Sequence, residues 1–469
     1  MQNLLSAPNQ GVAKATREQL LQLFQQLLAL QTLEVTPEAL GRRFYRRAWC
    51  PRLTLWYLIW QRLAPTHTLQ AVVNDARRGG ADALRPGGQS LSTQLRSQAT
   101  AAYAKARGRL PLAWVQACFL RLAQALATEG KMPPPDHLPV RLLDGSTVRL
   151  RPLGKLPQTF PPHRTRRKKS YWCVARVVVS FCAETGVAVG ALLSSLHVSE
   201  QALAVQLLLQ AAARALYVGD RNFGVWRVVR ASVQAGGHSL VRLTGQRARC
   251  LAAGRRLRPG LELAVQWAPS ARDQVDEGLR KEAVSGRLVV ARVQRRGFRS
   301  QLLLLFTTLP AADYALPQLL ELYGRRWQVE LHFRTLKATL GLAQLEVKSA
   351  DLAHKEFYAG LMAYNLVRGL MRLAAQAAGG SAATLSFAAA RTQLVSVLGT
   401  LWLGWMPAQR RGEQLDWLCQ EVARARLPRR RQARPPQPRA QWYEPQVFPP
   451  MRGTRPQMLQ RLKKAQMKS

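Results

Sequence analysis

With 469 residues, 69 of them Lys or Arg against 26 Asp or Glu, the chain is long enough for two or three domains and carries a formal charge of +43. Such an excess selects a polyanion as partner, while 47% apolar residues and 12 Trp exclude a mere basic tail in favour of a large folded body with a basic surface. The most apolar stretches, Tyr171 to Leu193 and Phe357 to Ala375, are interrupted by Arg176, Glu184, Arg368 and Arg372, which argues against a membrane span, and the polar N-terminus lacks the order of a signal peptide.

Thr16 with Gln19 forms a capping-box pattern ahead of the leucine-rich run Leu20 to Leu30, so the chain is expected to open with an amphipathic helix. Helical periodicity recurs at Arg52 to Leu63, Thr68 to Arg78, Gln94 to Arg107 and Leu112 to Ala127, with Gly or Pro in the gaps. Residues 1–131 thus read as a helical, basic region. Within it Arg42, Arg43, Arg46 and Arg47 interleave with Phe44, Tyr45 and Trp49, a pattern that suits nucleic-acid backbone and a solvated helix face equally.

After a linker at Met132 to Pro135, Leu138 to Leu150 reads as a strand broken at Asp144-Gly145-Ser146, which puts Asp144 at a strand end. A basic loop with Arg164, Arg166, Arg167, Lys168 and Lys169 follows, then two strands, Trp172 to Cys182 and Val187 to Leu193, joined by a hairpin at Glu184-Thr185-Gly186. Ser199 can cap a helix running to Leu216, after which Tyr217-Val218-Gly219 reads as a buried strand ending in Asp220, and Ser239 to Leu243 as another. This order describes an α/β domain beginning at residues 136–243. Residues 244–310 change to short alternating runs, including one from Leu261 to Trp267, and form a β-rich insertion. Residues 311–378 return to helices, among them an apolar core helix from Leu352 to Ala374. A helical region at 379–423 and a proline-rich, basic, largely unfolded tail at 424–469 complete the chain.

The stretch Leu316 to Leu340 reads as one long helix. At about 100° per residue and with Tyr323 at zero, Arg326, Glu330 and Lys337 fall at about 300°, 340° and 320°, one narrow polar face beside an apolar stripe of Leu322, Val329, Phe333, Leu336 and Leu340. A carboxylate flanked by a phenol and two cations suits a hard metal ion held beside a phosphate; a salt-bridged surface face is the plainer alternative. The six cysteines and seven histidines are scattered without ligand-like spacing, so the thiols point to a reducing compartment and any metal to oxygen ligands. Neighbouring parallel strands would bring Asp144 and Asp220 to one sheet edge, and with Glu330 they would repel one another unless cations neutralised them. Two Mg²⁺ ions, or Mn²⁺ in their place, would do so and would serve the in-line displacement of a phosphodiester.

The spacing Y-(2)-R-(3)-E-(6)-K at Tyr323, Arg326, Glu330 and Lys337 resembles the signature of the bacterial DDE transposases of the insertion-sequence-four family. Leu142-Leu143-Asp144-Gly145-Ser146 and Val218-Gly219-Asp220-Arg221-Asn222-Phe223 look like that family's first and second aspartate motifs, and Ala363-Tyr364-Asn365-Leu366-Val367-Arg368 like its following helix. The resemblance covers about residues 90–375. It implies an RNase-H-like catalytic domain with a β-rich insertion, preceded by an α-helical region and followed by a basic tail. Asp144, Asp220 and Glu330 would be the catalytic metal ligands, and Tyr323, Arg326 and Lys337 would bind the DNA end. It also implies cut-and-paste transposition through a hairpin at the end of an insertion sequence. A homodimer would bridge two double-stranded transposon ends and act on target DNA, in the bacterial cytoplasm near the nucleoid. The family's insertion presents an aromatic to a flipped base; Trp267 and Trp226 are candidates, against sheet packing for Trp267. An RNase-H-like nuclease without strand transfer and a catalytically silent nucleic-acid-binding protein are the competing readings.

Overall fold

The computed structural model describes residues 48–82, 90–128, 138–164, 169–211, 214–271, 273, 278–293, 301–401 and 408–428, with a few helical residues between 456 and 464. Contacts divide the chain into a main unit, Met1–Val293 with Gln301–Pro428, and a second, Gln294–Ser300 with Arg429–Ser469. The expected opening helix, the Arg42–Arg47 cluster, the Met132–Pro135 linker and nearly all of the basic tail lie outside the described residues.

Among the described residues, five helices precede the sheet: α1 (Pro51–Leu63), α2 (Leu69–Arg77), α3 (Leu91–Gln94), α4 (Ala101–Arg109) and α5 (Leu112–Thr128). Pro51 opens α1, and the Thr68 hydroxyl accepts the Ala71 N–H at 3.1 Å to cap α2. One helix was expected from Gln94 to Arg107, but α3 ends at Gln94 and 95–100 are irregular. There Ser97 Oγ accepts the Ala99 N–H at 3.0 Å, the local side-chain bond that competes with a helix. Trp49 is buried between Tyr57 and Tyr103, ring centroids 5.6 and 4.8 Å away, and so belongs to the core of these helices rather than to a backbone-contacting surface.

The sheet contains β1 (Val140–Leu150), β2 (Pro162–Arg164), β3 (Lys169–Cys182), β4 (Ala188–Ser195), β5 (Leu216–Gly219), β6 (His238–Arg242), β7 (Glu262–Trp267), β8 (Val284–Val293), β9 (Gln301–Thr307) and β10 (Gln344–Leu345). A short turn of helix, α6 (Leu156–Thr159), lies between β1 and β2. The strand order is β2-β3-β1-β5-β6-β9-β8-β7, with β4 on β3 and β10 on β1. β1, β5 and β6 are mutually parallel, and β3 runs antiparallel to β1. The expected insertion strands are present, and through β6–β9 pairing they extend the same sheet.

Helices α7 (Glu200–Ala211) and α8 (Trp226–Gln234) cover one face; α9 (Gly245–Leu251) follows β6. The other face carries α10 (Leu316–Gly324), α11 (Gln328–Arg334) and the long, mostly buried α12 (Ala350–Ala377), with α13 (Phe387–Leu401) and α14 (Ala408–Arg424) beyond. Strand alternation assigns residues to the two cores: Val140, Leu142, Val148, Leu216 and Val218 join the α12 core, while Leu143 and Tyr217 join the α7–α8 core. The α12 motif expected from the sequence is a structural clamp on the β3–β4 hairpin. Tyr364 donates to the Gly186 carbonyl at 2.8 Å, Asn365 bonds both Ala188 N and Ala188 O at 2.8 Å, and Arg368 donates to the Thr185 carbonyl at 2.7 Å. Glu356 of α12 is buried between Arg62 of α1 and Arg107 of α4, tying the N-terminal helices to the sheet's cover. Among the described residues no single helix is long and apolar enough to cross a membrane; one bent pair, α4 with α5, meets that test together.

Candidate active site

β1 and β5 pair in register from Val140 with Leu216 to Leu143 with Gly219, so the next residues, Asp144 and Asp220, are neighbours across two parallel strands. Period-two alternation puts both on the face of Leu142 and Val218, the face that α10, α11 and α12 cover. One expectation fails. β1 does not break at Asp144 but runs on to Leu150, because β3 supplies ladder partners through Asp144–Val179 and Gly145–Val178, which overrides the turn tendency of Asp-Gly. Asp144 accepts the Gly145 N–H at 2.8 Å and Asp220 the Asn222 N–H at 2.8 Å, so each carboxylate is oriented by its own backbone.

The expected single helix over Leu316 to Leu340 is helical through Thr339 but not regular. A 3₁₀ turn at Arg325–Trp327 joins α10 to α11, and a π turn at Thr335–Thr339 follows, with the Leu340 N–H donating to the Thr335 carbonyl five residues back. Both turns change the angular step, yet Tyr323, Arg326 and Glu330 stay together, the Tyr323 hydroxyl bonding Arg326 and Arg326 pairing with Glu330. Tyr323 and Arg326 are buried toward the aspartates, Glu330 is exposed beside them with Oε1 3.5 Å from the Arg326 guanidinium, and Lys337 is half-buried near Arg149, five residues along β1 from Asp144.

Burial, then the neighbouring charges of Asp220 and Glu200, push the Asp144 carboxyl up to about 6, against the Gly145 N–H and Arg326, which lower it. Burial raises the Tyr323 phenol, which hydrogen-bonds Arg326 and feels Arg242 and Asp220. Among the described residues, the buried Arg326 Nε has no hydrogen-bond partner, a donor free for an anion. Paired oxygen donors with uncompensated charge fit a hard divalent cation, which would reverse the rise at Asp144. Among the described residues, however, no three His, Cys, Asp or Glu side chains are grouped closely enough to hold a metal; Glu330 turns to Arg326 instead.

Trp267 is not at this site. It is 8% exposed on β7, edge-on to Phe306 at 4.9 Å, which is the packing alternative; Trp226 is buried as well, its indole N–H donating to the Glu282 carbonyl at 3.1 Å. Next to Arg326 stands an exposed aromatic, Trp327, 59% accessible, with the Arg326 guanidinium 4.5 Å over its ring. Its signal in the sequence is an indole at about 40° on the same wheel, next to the polar face and away from the apolar stripe. Glu200 and Asn222 were also missed: Asn222 Nδ2 donates to Glu200 Oε2 at 2.6 Å. Glu200 looks locally like any acid in a helix's first turn, and only the fold brings it to Asp144 and Asp220.

Residues 135–366, which contain all of these groups, match the family described as Transposase DDE domain. The chain is similar to the transposase InsG for insertion sequence element IS4 of Escherichia coli (strain K12), 25% identical over 353 residues that cover 74% of this chain and 76% of that protein. It is also similar to the transposase for insertion sequence element IS421 of Escherichia coli, 38% identical over 69 residues, 15% of this chain and 19% of that protein.

Proposed function

Since the chain belongs to the insertion-sequence-four family of DDE transposases, we propose that it moves its insertion sequence by cut-and-paste, cleaving and rejoining DNA through a hairpin at each transposon end. The observation that carries this reading is the adjacency of Asp144 and Asp220 beneath the helix of Tyr323, Arg326 and Glu330. An RNase-H-like domain accords with the antiparallel β3 beside parallel β1, β5 and β6.

Asp144, Asp220 and Glu330 would hold Mg²⁺ or Mn²⁺, two ions in the full site. Such ions, when bound, activate a water or 3′-hydroxyl and stabilise the leaving oxygen. The protein's own groups do the rest. Arg326 offers a buried, partnerless Nε to a phosphate oxygen, and Tyr323 holds that guanidinium through its hydroxyl. Trp327 presents an open ring next to the same phosphate, suited to stacking on a distorted nucleotide. Lys337, beside Arg149, would meet the backbone several nucleotides away. The partners are double-stranded transposon ends and target DNA, with a homodimer holding two ends together in the bacterial cytoplasm at the nucleoid. Trp267 would support the insertion strands rather than hold a base.

Labelled terminal DNA incubated with the protein and a divalent ion, resolved on a denaturing gel, tests the reaction. Nicks, hairpins and joined products are expected. Cleavage with no joined product would favour a nuclease.

A further inference from the structure

The Asp144 strand and the Asp220 turn are connected by a group that lies on the far side of the sheet. Gly145 points to the face opposite Asp144, where α7 packs. A Cβ added at Gly145 would stand 2.6 Å from the Glu200 Cδ, so the carboxylate occupies the room that the glycine leaves. The same carboxylate accepts the Asn222 Nδ2–H at 2.6 Å, while the backbone N–H of Asn222 donates to Asp220 Oδ1. Gln201 secures the other side of that turn, its amide donating to the Asn222 carbonyl at 2.9 Å. The start of α7 is fixed in turn: Ser199 Oγ accepts the Ala202 N–H at 3.1 Å and an Arg227 N–H at 2.7 Å, and Arg176 donates to the Val198 carbonyl at 2.7 Å.

We propose that Glu200 is a positioning residue of the DNA-cleaving site, a strut that reaches past Gly145 and holds Asn222, and so sets the separation of Asp144 and Asp220. The role rests on the metal-dependent reading above. It explains why an acid stands half-buried here, where burial and then the charge of Asp220 disfavour its ionised form while Arg176 and Asn222 favour it. It also explains why a side chain cannot follow Asp144: a methyl at 145 would push the carboxylate off Asn222.

The test is Mn²⁺ titration of the full-length, DNA-free protein, followed by loss of the free-ion electron paramagnetic resonance signal, with thermal melting as a check on folding. Glu200→Ala and Asn222→Ala should weaken Mn²⁺ binding about 10-fold or more, the scale for residues that orient ligands, with melting still cooperative. Glu200→Gln keeps the oxygen that Asn222 needs and should bind Mn²⁺ within about 3-fold of wild type, separating a strut from a charge effect. Gly145→Ala should resemble Glu200→Ala and add little in the Glu200→Ala background, since both break one contact. Asp144→Asn is measured alongside. Wild-type Mn²⁺ affinity in Glu200→Ala, with loss in Asp144→Asn, would overturn the strut and leave the DDE reading standing. Equal weakening in Glu200→Gln and Glu200→Ala would also overturn it, and unchanged binding in Asp144→Asn as well as Glu200→Ala would overturn both.

Discussion

Asp144 and Asp220 stand side by side one step past the last paired residues of two parallel strands, both facing the helix that carries Arg326. The arrangement concentrates negative charge in a half-buried place, and this has a cost in the free protein that can be measured.

Burial and Asp220 raise the Asp144 carboxyl from its ordinary 3.8 to about 6. Between those values the folded protein holds a proton that the unfolded chain has released, so stability falls as pH rises through this window and stays lower above it. Asp144→Asn removes that term. In the absence of divalent ions the variant should be more stable than wild type at pH 7.5, by at most about 3 kcal/mol at roughly 1.4 kcal/mol per unit, and show no such gain at pH 4. Denaturant melts at the two pH values check this; equal stability at pH 7.5 would show that the carboxylate is not strained.

Much of this was legible beforehand. The aspartates could be placed because a buried strand of apolar residues ending in an acid is short and unambiguous, as at Tyr217 to Asp220. The core helix from Leu352 to Ala374 is apolar on so many faces that only burial accommodates it. What was not legible depended on partners distant in sequence. Asp144-Gly145 looks like a turn until β3 pairs with it, and Glu200 looks like helix decoration until the fold sets it against Gly145. The 3₁₀ and π turns around Glu330 leave no mark in hydrophobic spacing, so the shared face of Lys337 with Arg326 was an inference from an ideal helix.

Glu356 faces two buried guanidiniums, Arg62 and Arg107. Glu356→Gln should destabilise the protein by about 3–5 kcal/mol, since both cations lose their counter-charge away from water. The measurement is a urea melt followed by tryptophan fluorescence. A loss below about 1 kcal/mol would mean that water reaches the guanidiniums.

Arg326 and Trp327 should separate binding from chemistry. Arg326→Lys keeps the charge but not a guanidinium with its unpartnered Nε, so nicking should fall at least about 10-fold, corresponding to 1.4 kcal/mol. Trp327→Ala should retain first-strand nicking while hairpin formation declines, because an open ring serves a distorted nucleotide. Hairpins at the wild-type rate in Trp327→Ala would remove that residue from the DNA interface.

Residues 429–469 carry eleven Lys and Arg against Glu444. Each phosphate they neutralise contributes about 0.9 to the slope of log affinity against log salt, so deleting them should flatten it. An unchanged slope in filter-binding assays would assign the contacts to the folded body.

Three carboxylates, two on strands and one on a helix, are proposed to act as one metal-dependent DNA-cleaving centre. The most direct measurement is cleavage of labelled terminal DNA by wild type, Asp144→Asn, Asp220→Asn and Glu330→Gln, with Mg²⁺ or Mn²⁺ and with chelator. Wild type should cut only with the ion, each variant should lose cleavage by at least about a thousandfold (roughly 4 kcal/mol), and all should still bind the duplex. Near wild-type cutting by any one variant, or cutting that persists in chelator, would contradict it.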